Sequence, residues 1–293
     1  MNILLKFLRK DLCKRLPDRL YLQLVYIARM QKNLRLKNPK SFNEKLQWLK
    51  LYDRQDQYTI MVDKIRAKHY VSEKIGAQAI IPTLGVWDTF DEIDFNKLPN
   101  QFVLKCSHDS GGIVICRDKS KLDMDAARRK ITRALQKDYY LFNREWPYKN
   151  VPRKVFAEEY LEQVDLAGLM DYKFYCFNGE PKFLYVSKGL ENHNTASVLF
   201  LSMDWQPVPF GRADYKEMEQ VPEKPSRLLE MIEIARTLSK GIAFLRVDLY
   251  QIGENIKFSE LTFTPCGGYM PFEPKQWDIK VGEMLELPKE KKE

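Results

Sequence analysis

Two runs near the C-terminus, Phe244-Leu245-Arg246-Val247-Asp248-Leu249-Tyr250 and Lys257-Phe258-Ser259-Glu260-Leu261-Thr262-Phe263, alternate apolar with polar residues around Gly253-Glu254-Asn255. Alternation with period two marks a strand with one buried face, and glycine with asparagine between two such runs makes a hairpin. A three-residue loop would pair Ile252 with Ile256, Asp248 with Glu260 and Arg246 with Thr262. Leu245, Val247, Leu249, Leu261 and Phe263 would then form the core face. Carboxylates opposed across a ladder stand ~5 Å apart and repel by ~3 kcal/mol at an effective dielectric near ~20. Water or a bridging cation must screen them. With the Thr262 hydroxyl on the same face, these hard oxygen donors suit Mg²⁺. A solvated face of idle charges is the competing reading.

The chain has 293 residues, 44% of them hydrophobic, enough for one large or two modest domains with a real core. Its net charge of +8 belongs to one end: residues 1–40 carry 11 Lys/Arg against Asp11 and Asp18, leaving the other 253 residues at −1. Five cysteines without CxxC spacing fit reduced thiols in a cytoplasmic protein better than disulfides or a zinc site. No apolar run is long enough to cross a membrane, and no signal peptide is expected.

Ile3, Leu4, Phe7, Leu8, Leu12 and Leu16 recur at helical spacing, with Lys6, Arg9, Lys10, Lys14 and Arg15 between them. Such a basic amphipathic helix can lie on an anionic membrane surface, here a peripheral contact through residues 1–16, or pack on its own domain with the lysines solvated. Nucleic acid is not an expected partner, because the aromatics are not interleaved with the basic residues as a stacking platform needs.

Helical signals run over 19–52 with a break at Asn38-Pro39 and a capping box from Ser41 to Glu44, and again over Asp63–Ile75. Strands are expected at 80–84, 102–106, 113–116, 154–161, 172–177 and 183–186, with a long helix over 126–141 and another over 227–240. Residues 188–225 read as irregular. Segregated helices and an antiparallel sheet make this α+β.

Lys105-Cys106-Ser107-His108-Asp109-Ser110-Gly111-Gly112 connects two strands. It is neither a Walker A loop nor a dinucleotide fingerprint. Two glycines let backbone amides approach phosphate oxygens, and Lys105 supplies charge; a hairpin turn needing glycine at positive φ explains the loop equally well. Lys64 and Lys68 share a helical face, ordinarily a solvated stripe. Lys173 is a cation in an apolar strand, where an anionic partner would justify it. Ala157-Glu158-Glu159-Tyr160-Leu161 is a strand end able to present backbone groups to an adenine ring.

In this order, these segments resemble the ATP-grasp superfamily, and most closely the TupA-like ATP-grasp family of polysaccharide and teichuronopeptide gene clusters. The resemblance runs from about Asn38 to Pro274 through Asn38-Pro39-Lys40-Ser41-Phe42-Asn43-Glu44-Lys45, Val62-Asp63-Lys64, Ile81-Pro82-Thr83-Leu84-Gly85-Val86, Leu98 to Lys105, Ser107 to Gly112, Glu158 to Leu161, Asp171-Tyr172-Lys173, Arg246-Val247-Asp248 and Glu260 to Pro265. It implies an ATP-grasp fold, two α+β lobes gripping a nucleotide: a basic helical region at 1–62, a smaller lobe at 63–157, a larger lobe at 158–280 and a charged tail at 281–293.

For the site, the resemblance implies ATP held by Lys64 and Lys105 from the smaller lobe, under a loop of Ser107, Ser110, Gly111 and Gly112. Glu158, Glu159, Tyr160 and Leu161 form the adenine-reading hinge, and Lys173 reaches the terminal phosphate. Asp248 and Glu260 are the magnesium carboxylates. Thr262 stands where many ATP-grasp enzymes have Asn, an oxygen donor in place of an amide. Arg246 steadies an acyl-phosphate intermediate. The implied reaction joins a small-molecule or glycan-linked carboxylate, a sugar acid or an amino acid, to an amine in surface-polysaccharide assembly. Lys188, His193 and Arg212 are acceptor-side candidates by position. A sugar or polyol kinase on the same fold, a glycosyltransferase using Asp123-Met124-Asp125, and a non-enzymatic membrane adaptor are the rivals.

Overall fold

A computed structural model of the chain describes residues 15–161, 170–188 and 196–289. The amphipathic segment at 1–14, Cys13, His193 and the tail beyond Lys289 lie outside the described residues.

Helices α1 (Asp18–Met30) and α2 (Phe42–Tyr52) open the described chain, and the expected capping box is present: Ser41 Oγ accepts from the Glu44 amide at 3.2 Å and Glu44 Oε2 from the Ser41 amide at 3.1 Å. The helix expected over Asp63–Ile75 is α4 (Arg66–Ile75), and a further short helix, α3 (Asp56–Val62), precedes it. The Asp63 carboxylate accepts from the Ile65 and Arg66 amides and turns the chain between them, so Lys64 sits in the corner and not on a helical stripe.

Four antiparallel strands follow in the order β1-β4-β2-β3: β1 (Thr83–Trp87), β2 (Phe102–Cys106), β3 (Ile113–Cys116) and β4 (Val155–Glu159). Helix α5 (Met124–Leu135), capped by Asp123, packs Ala127, Ile131 and Ala134 onto this sheet with Phe102, Leu104 and Val155. The expected long helix stops there, and Asp138 caps a separate short helix, α6 (Tyr139–Asn143).

The larger sheet has the order β11-β10-β5-β6-β7-β9, from β5 (Asp171–Phe177), β6 (Glu180–Lys188), β7 (Ser197–Ser202), β9 (Lys216–Glu217), β10 (Phe244–Ile252) and β11 (Asn255–Thr262). All neighbours are antiparallel except β7 and β9. A two-stranded ribbon joins β8 (Gly211–Arg212) to β12 (Phe272–Glu273). Strand β7 falls in the region read as irregular: Val198 and Phe200 enter one core and Leu199 and Leu201 the other. A strand buried on both faces shows no alternation.

Helix α7 (Leu228–Ser239) covers one face of the large sheet over Phe174, Leu184, Leu245, Val247, Leu249 and Leu261. Phe263 packs partly buried against the same cluster. Helices α1, α2 and α8 (Trp277–Glu283) cover the other face. There Phe42 of α2 meets Phe177 and Phe244 at ring separations of 5.8 and 5.0 Å. Along β5 this face reads Phe177, Tyr175, Lys173, Asp171, and along β10 Phe244, Arg246, Asp248, Tyr250. It is thus aromatic under α2 and ionic beyond it.

Candidate active site

The ionic end of that face is a continuous chain of opposite charges. Lys173 faces Asp248 across β5 and β10, and Asp248 faces Glu260 across β10 and β11. The Lys173 ammonium donates to Asp248 Oδ2 at 2.7 Å and also to Asp171. Arg246 donates from Nε to Asp248 Oδ1 at 2.7 Å, and from Nη2 to Asp248 Oδ2 at 2.6 Å and Glu260 Oε1 at 2.8 Å. Thr262 Oγ1 reaches Glu260 Oε1 at 3.3 Å. Asp248 is wholly buried, whereas the Glu260 side chain keeps 32% of its exposure.

Burial pushes the Glu260 carboxyl up, but Lys64, Arg246, Lys173 and Lys105 outweigh it and hold the group at about 2. Four cations from four separate segments therefore act on this one carboxylate. Burial would discharge Lys173, but Asp171 and Asp248 hold its ammonium charged well above the usual lysine range. Asp171 itself rises to about 6, through burial that Lys173 only partly offsets. One of its oxygens, Oδ1, has no hydrogen-bond partner among the described residues.

The hairpin brings Asp248 to Glu260 and Arg246 to Thr262 as expected, by a different route. The loop is two residues, pairing Ile252 with Asn255, and a bulge at Ser259 restores the register between Leu249 and Asp248. Arg246, on the same face of β10, supplies the screening that the opposed carboxylates require.

On the four-stranded sheet Glu158 is buried between Lys68, at 2.9 Å, and Lys105. Burial pushes the Glu158 carboxyl up, but the two ammoniums bring it below the usual range. The expectation of Lys68 as a solvated stripe is wrong: its Nζ also donates to the Ile81 carbonyl at 2.8 Å and Thr83 Oγ1 at 2.9 Å. Glu159 points to solvent, with its amide donating to the Pro82 carbonyl at 3.1 Å. Tyr160 Oη accepts from Arg117 at 3.1 Å, and Leu161 is half-buried at the strand exit.

The loop from Ser107 to Gly112 is anchored at its base. Ser107 Oγ donates to the Pro152 carbonyl at 2.5 Å, Lys64 Nζ to the Asp109 carbonyl at 2.9 Å, and Lys137 to the Asp109 carboxylate at 2.8 Å. Ser110 and Gly111 form the exposed tip. Neither Gly111 nor Gly112 has positive φ, which removes the turn explanation. A Cβ on Gly112 would stand 2.6 Å from the Ala134 Cβ, so that glycine serves packing, whereas a Cβ on Gly111 would meet nothing closer than Asp109 Oδ2 at 3.7 Å.

Tyr139 stands against the tip of the loop. Its hydroxyl lies 3.3 Å from Ser110 Oγ, its ring 4.6 Å from that of Tyr148, and both phenols feel the charges of Glu260 and Glu145. Sequence reading missed both tyrosines, because they belong to a short helix and a turn without periodicity. For Asp171, the signal in the sequence is its spacing of two from Lys173 on one strand.

Among the described residues no three His, Cys, Asp or Glu side chains gather as a self-sufficient metal cage. Mg²⁺ does not need one, since it takes one or two carboxylates and completes its shell with waters and phosphate oxygens. Asp248 and Glu260 already share one cationic group at 2.6 and 2.8 Å, so the donor set fits the ion, and the lysines around it fit a polyphosphate. No helix among the described residues is long and apolar enough to cross a membrane.

The TupA-like ATPgrasp family matches residues 44–286. No curated protein matches the chain in sequence. Among solved structures, the chain is similar to D-alanine–D-alanine ligase from Bacillus anthracis complexed with ATP, at 16% identity and TM-score 0.41, over 70% of this chain and 55% of the ligase. The D-alanine–D-alanine ligase from Helicobacter pylori gives 16% identity and TM-score 0.46, over 85% of this chain and 70% of that one. A RimK domain ATP-grasp protein from Sphaerobacter thermophilus gives 10% and 0.43, over 80% and 70%. The chain thus spans about half the length of the first of these. With the family match covering most of its length, the chain belongs to the TupA-like ATP-grasp family.

Proposed function

We propose that the protein is a carboxylate–amine ligase working through an acyl phosphate, with residues 63–157 and 158–280 as its two nucleotide-gripping lobes. The carrying observation is the buried ion chain in which Lys173 holds Asp248 at 2.7 Å and Arg246 bridges Asp248 and Glu260 at 2.6 and 2.8 Å. A triphosphate brings several negative charges to such a place, and cations pre-positioned there are what phosphoryl transfer requires.

Asp248, Glu260 and Thr262 would hold magnesium, which when bound neutralises charge between the β- and γ-phosphates. Lys64 and Lys105 bind the phosphates from the smaller lobe. Glu158 to Leu161 present the adenine-facing hinge, and Ser107, Ser110, Gly111 and Gly112 close over the site to exclude water. Lys173, its proton kept on Nζ by Asp171 and Asp248, faces the transferred group. A substrate carboxylate oxygen takes the γ-phosphoryl group and ADP leaves. The amine nitrogen then bonds to the acyl carbon, the carbon–oxygen bond to phosphate breaks, and inorganic phosphate and one amine proton depart. Arg246 stabilises the oxyanion formed on the way.

The carboxylate is a sugar acid or an amino acid, free or glycan-linked, in surface-polysaccharide assembly at the cytoplasmic side, a context taken from the family resemblance alone. The test is a screen of sugar acids and amino acids for ADP release with and without amines. Release that requires both a carboxylate and an amine supports ligation. Release with a sugar or polyol alone would replace it with a kinase.

A further inference from the structure

Two lysines share one buried carboxylate on the four-stranded sheet, and their attachments differ. Glu158 of β4 lies opposite Thr83 of β1 and Val103 of β2. Its Oε2 accepts from Lys68 of α4 at 2.9 Å, and its Oε1 pairs with Lys105 of β2. The Lys68 ammonium uses all three of its donors within the protein, on Glu158, on the Ile81 carbonyl at 2.8 Å and on Thr83 Oγ1 at 2.9 Å. It also stands 5.2 Å from the Phe156 ring centre. For the Lys105 ammonium, Glu158 is the one hydrogen-bond or ion-pair partner among the described residues. Lys68 is saturated, and Lys105 keeps donors for a ligand.

Two ammoniums on one carboxylate leave a positive charge in excess, and Lys105 is where a ligand can reach it. Fixed by the Ile81 and Thr83 oxygens, Lys68 can keep Glu158 paired while Lys105 turns to an incoming anion. Without Lys68, Lys105 and Glu158 would be a neutral pair. A phosphate would then have to draw Lys105 away and strand a buried carboxylate, which is strongly unfavourable. The plainer role for Lys68 is a brace between α4, β1 and β4. A brace supports the fold and is indifferent to whether Glu158 is charged.

We propose that Lys68 is a positioning residue for nucleotide binding: it holds the Glu158 charge permanently, so that Lys105 is released to a phosphate group of the nucleotide. Lys68 itself touches no ligand. The assignment rests on Lys105 as a phosphate ligand, part of the reading above.

Mg-ADP titrated calorimetrically into the full chain and its variants tests this. Lys68→Met should weaken Mg-ADP ~10-fold, the scale of a charged hydrogen bond withheld from the ligand. Lys68→Arg, which keeps the charge, should restore most of that loss. In a Glu158→Gln background there is no charge for Lys68 to neutralise, and adding Lys68→Met should leave Mg-ADP affinity unchanged. Should Lys68→Met misfold, Lys68→Gln, which can still donate to Ile81 and Thr83, replaces it with the same expectation. Wild-type affinity in the Lys68 variants would overturn the proposal. So would equal weakening with and without the Glu158 charge, which is what a brace would give. Lys105→Met separates the proposal from the reading beneath it. Weakened Mg-ADP there, with none in the Lys68 variants, would remove only the role of Lys68. Unchanged affinity in Lys105→Met, or no Mg-ADP bound by the wild type, would remove both.

Discussion

Asp248 and Glu260 face each other across β10 and β11 and share Nη2 of Arg246, which lies 2.6 Å from one carboxylate and 2.8 Å from the other. Their surroundings differ. Asp248 is wholly buried between two cations, while Glu260 is partly open. Glu260→Gln should therefore abolish magnesium-dependent turnover and leave a folded protein. Asp248→Asn should abolish turnover and also cost ~3 kcal/mol or more, because Lys173 and Arg246 lose their common buried counter-charge. Denaturant titration beside the ADP assay checks this; equal stability of the two variants would contradict the burial argument.

The Glu260 carboxyl also fixes an acid dependence. Its folded value of about 2 lies below its ordinary 4.5, so it contributes stability present above 4.5 and lost as pH falls towards 2. Wild type minus Glu260→Gln stability, measured between pH 5 and pH 3, should shrink as the solution is acidified. A constant difference would mean that the surrounding cations do not act on this group.

Arg246→Met removes the cation between the opposed carboxylates. In the ligand-free protein this should destabilise the hairpin, and millimolar Mg²⁺ without nucleotide should recover stability that it does not give to the wild type, because Mg²⁺ then meets two unscreened carboxylates. Thermal melts with and without Mg²⁺ check it. Equal magnesium response in both proteins would argue against Asp248 and Glu260 as a shared metal site.

The two loop glycines should separate by function. Gly112→Ala forces a Cβ to 2.6 Å from Ala134 and 2.9 Å from Cys106 Sγ and should cost ~1–3 kcal/mol. Gly111→Ala brings its Cβ no closer than 3.7 Å to Asp109 Oδ2 and should keep the melting temperature, with any effect confined to the KM for ATP. A stable Gly112→Ala protein would show that α5 yields more easily than its packing suggests.

What could be read from sequence was whatever one strand or one helical turn carries. Alternation placed Asp248, Glu260, Arg246 and Thr262 on one face, and the Ser41 cap started α2 where it starts. The loop length was misread, yet the Ser259 bulge compensated for it, because keeping Leu261 in the core and Glu260 out of it dominates the register. The contacts that escaped are those between distant segments. Val103 of β2 pairs with Glu158 of β4, bringing Lys105 and Lys68 onto one carboxylate, and nothing local to any of the three announces it. Tyr139 against Ser110 is likewise a product of folding alone.

Lys50 of α2 is another buried cation. Its ammonium donates to Gln47 Oε1 at 2.9 Å, the Asn143 carbonyl at 2.9 Å and the Gly267 carbonyl at 2.6 Å, with no carboxylate bonded to it among the described residues. Burial pulls it from 10.5 down to about 7, and Glu145 offsets only part of that. Between those values the unfolded chain binds more protons than the folded one. Stability should therefore rise with pH across pH 7 to 9, with a slope approaching ~1.4 kcal/mol per unit. Lys50→Met should lose that rise and be less stable throughout, since it strands the Asn143 and Gly267 carbonyls. Denaturant midpoints of both proteins at pH 7, 8 and 9 decide it. A variant whose stability tracks the wild type with pH would show that the Lys50 ammonium is not what titrates.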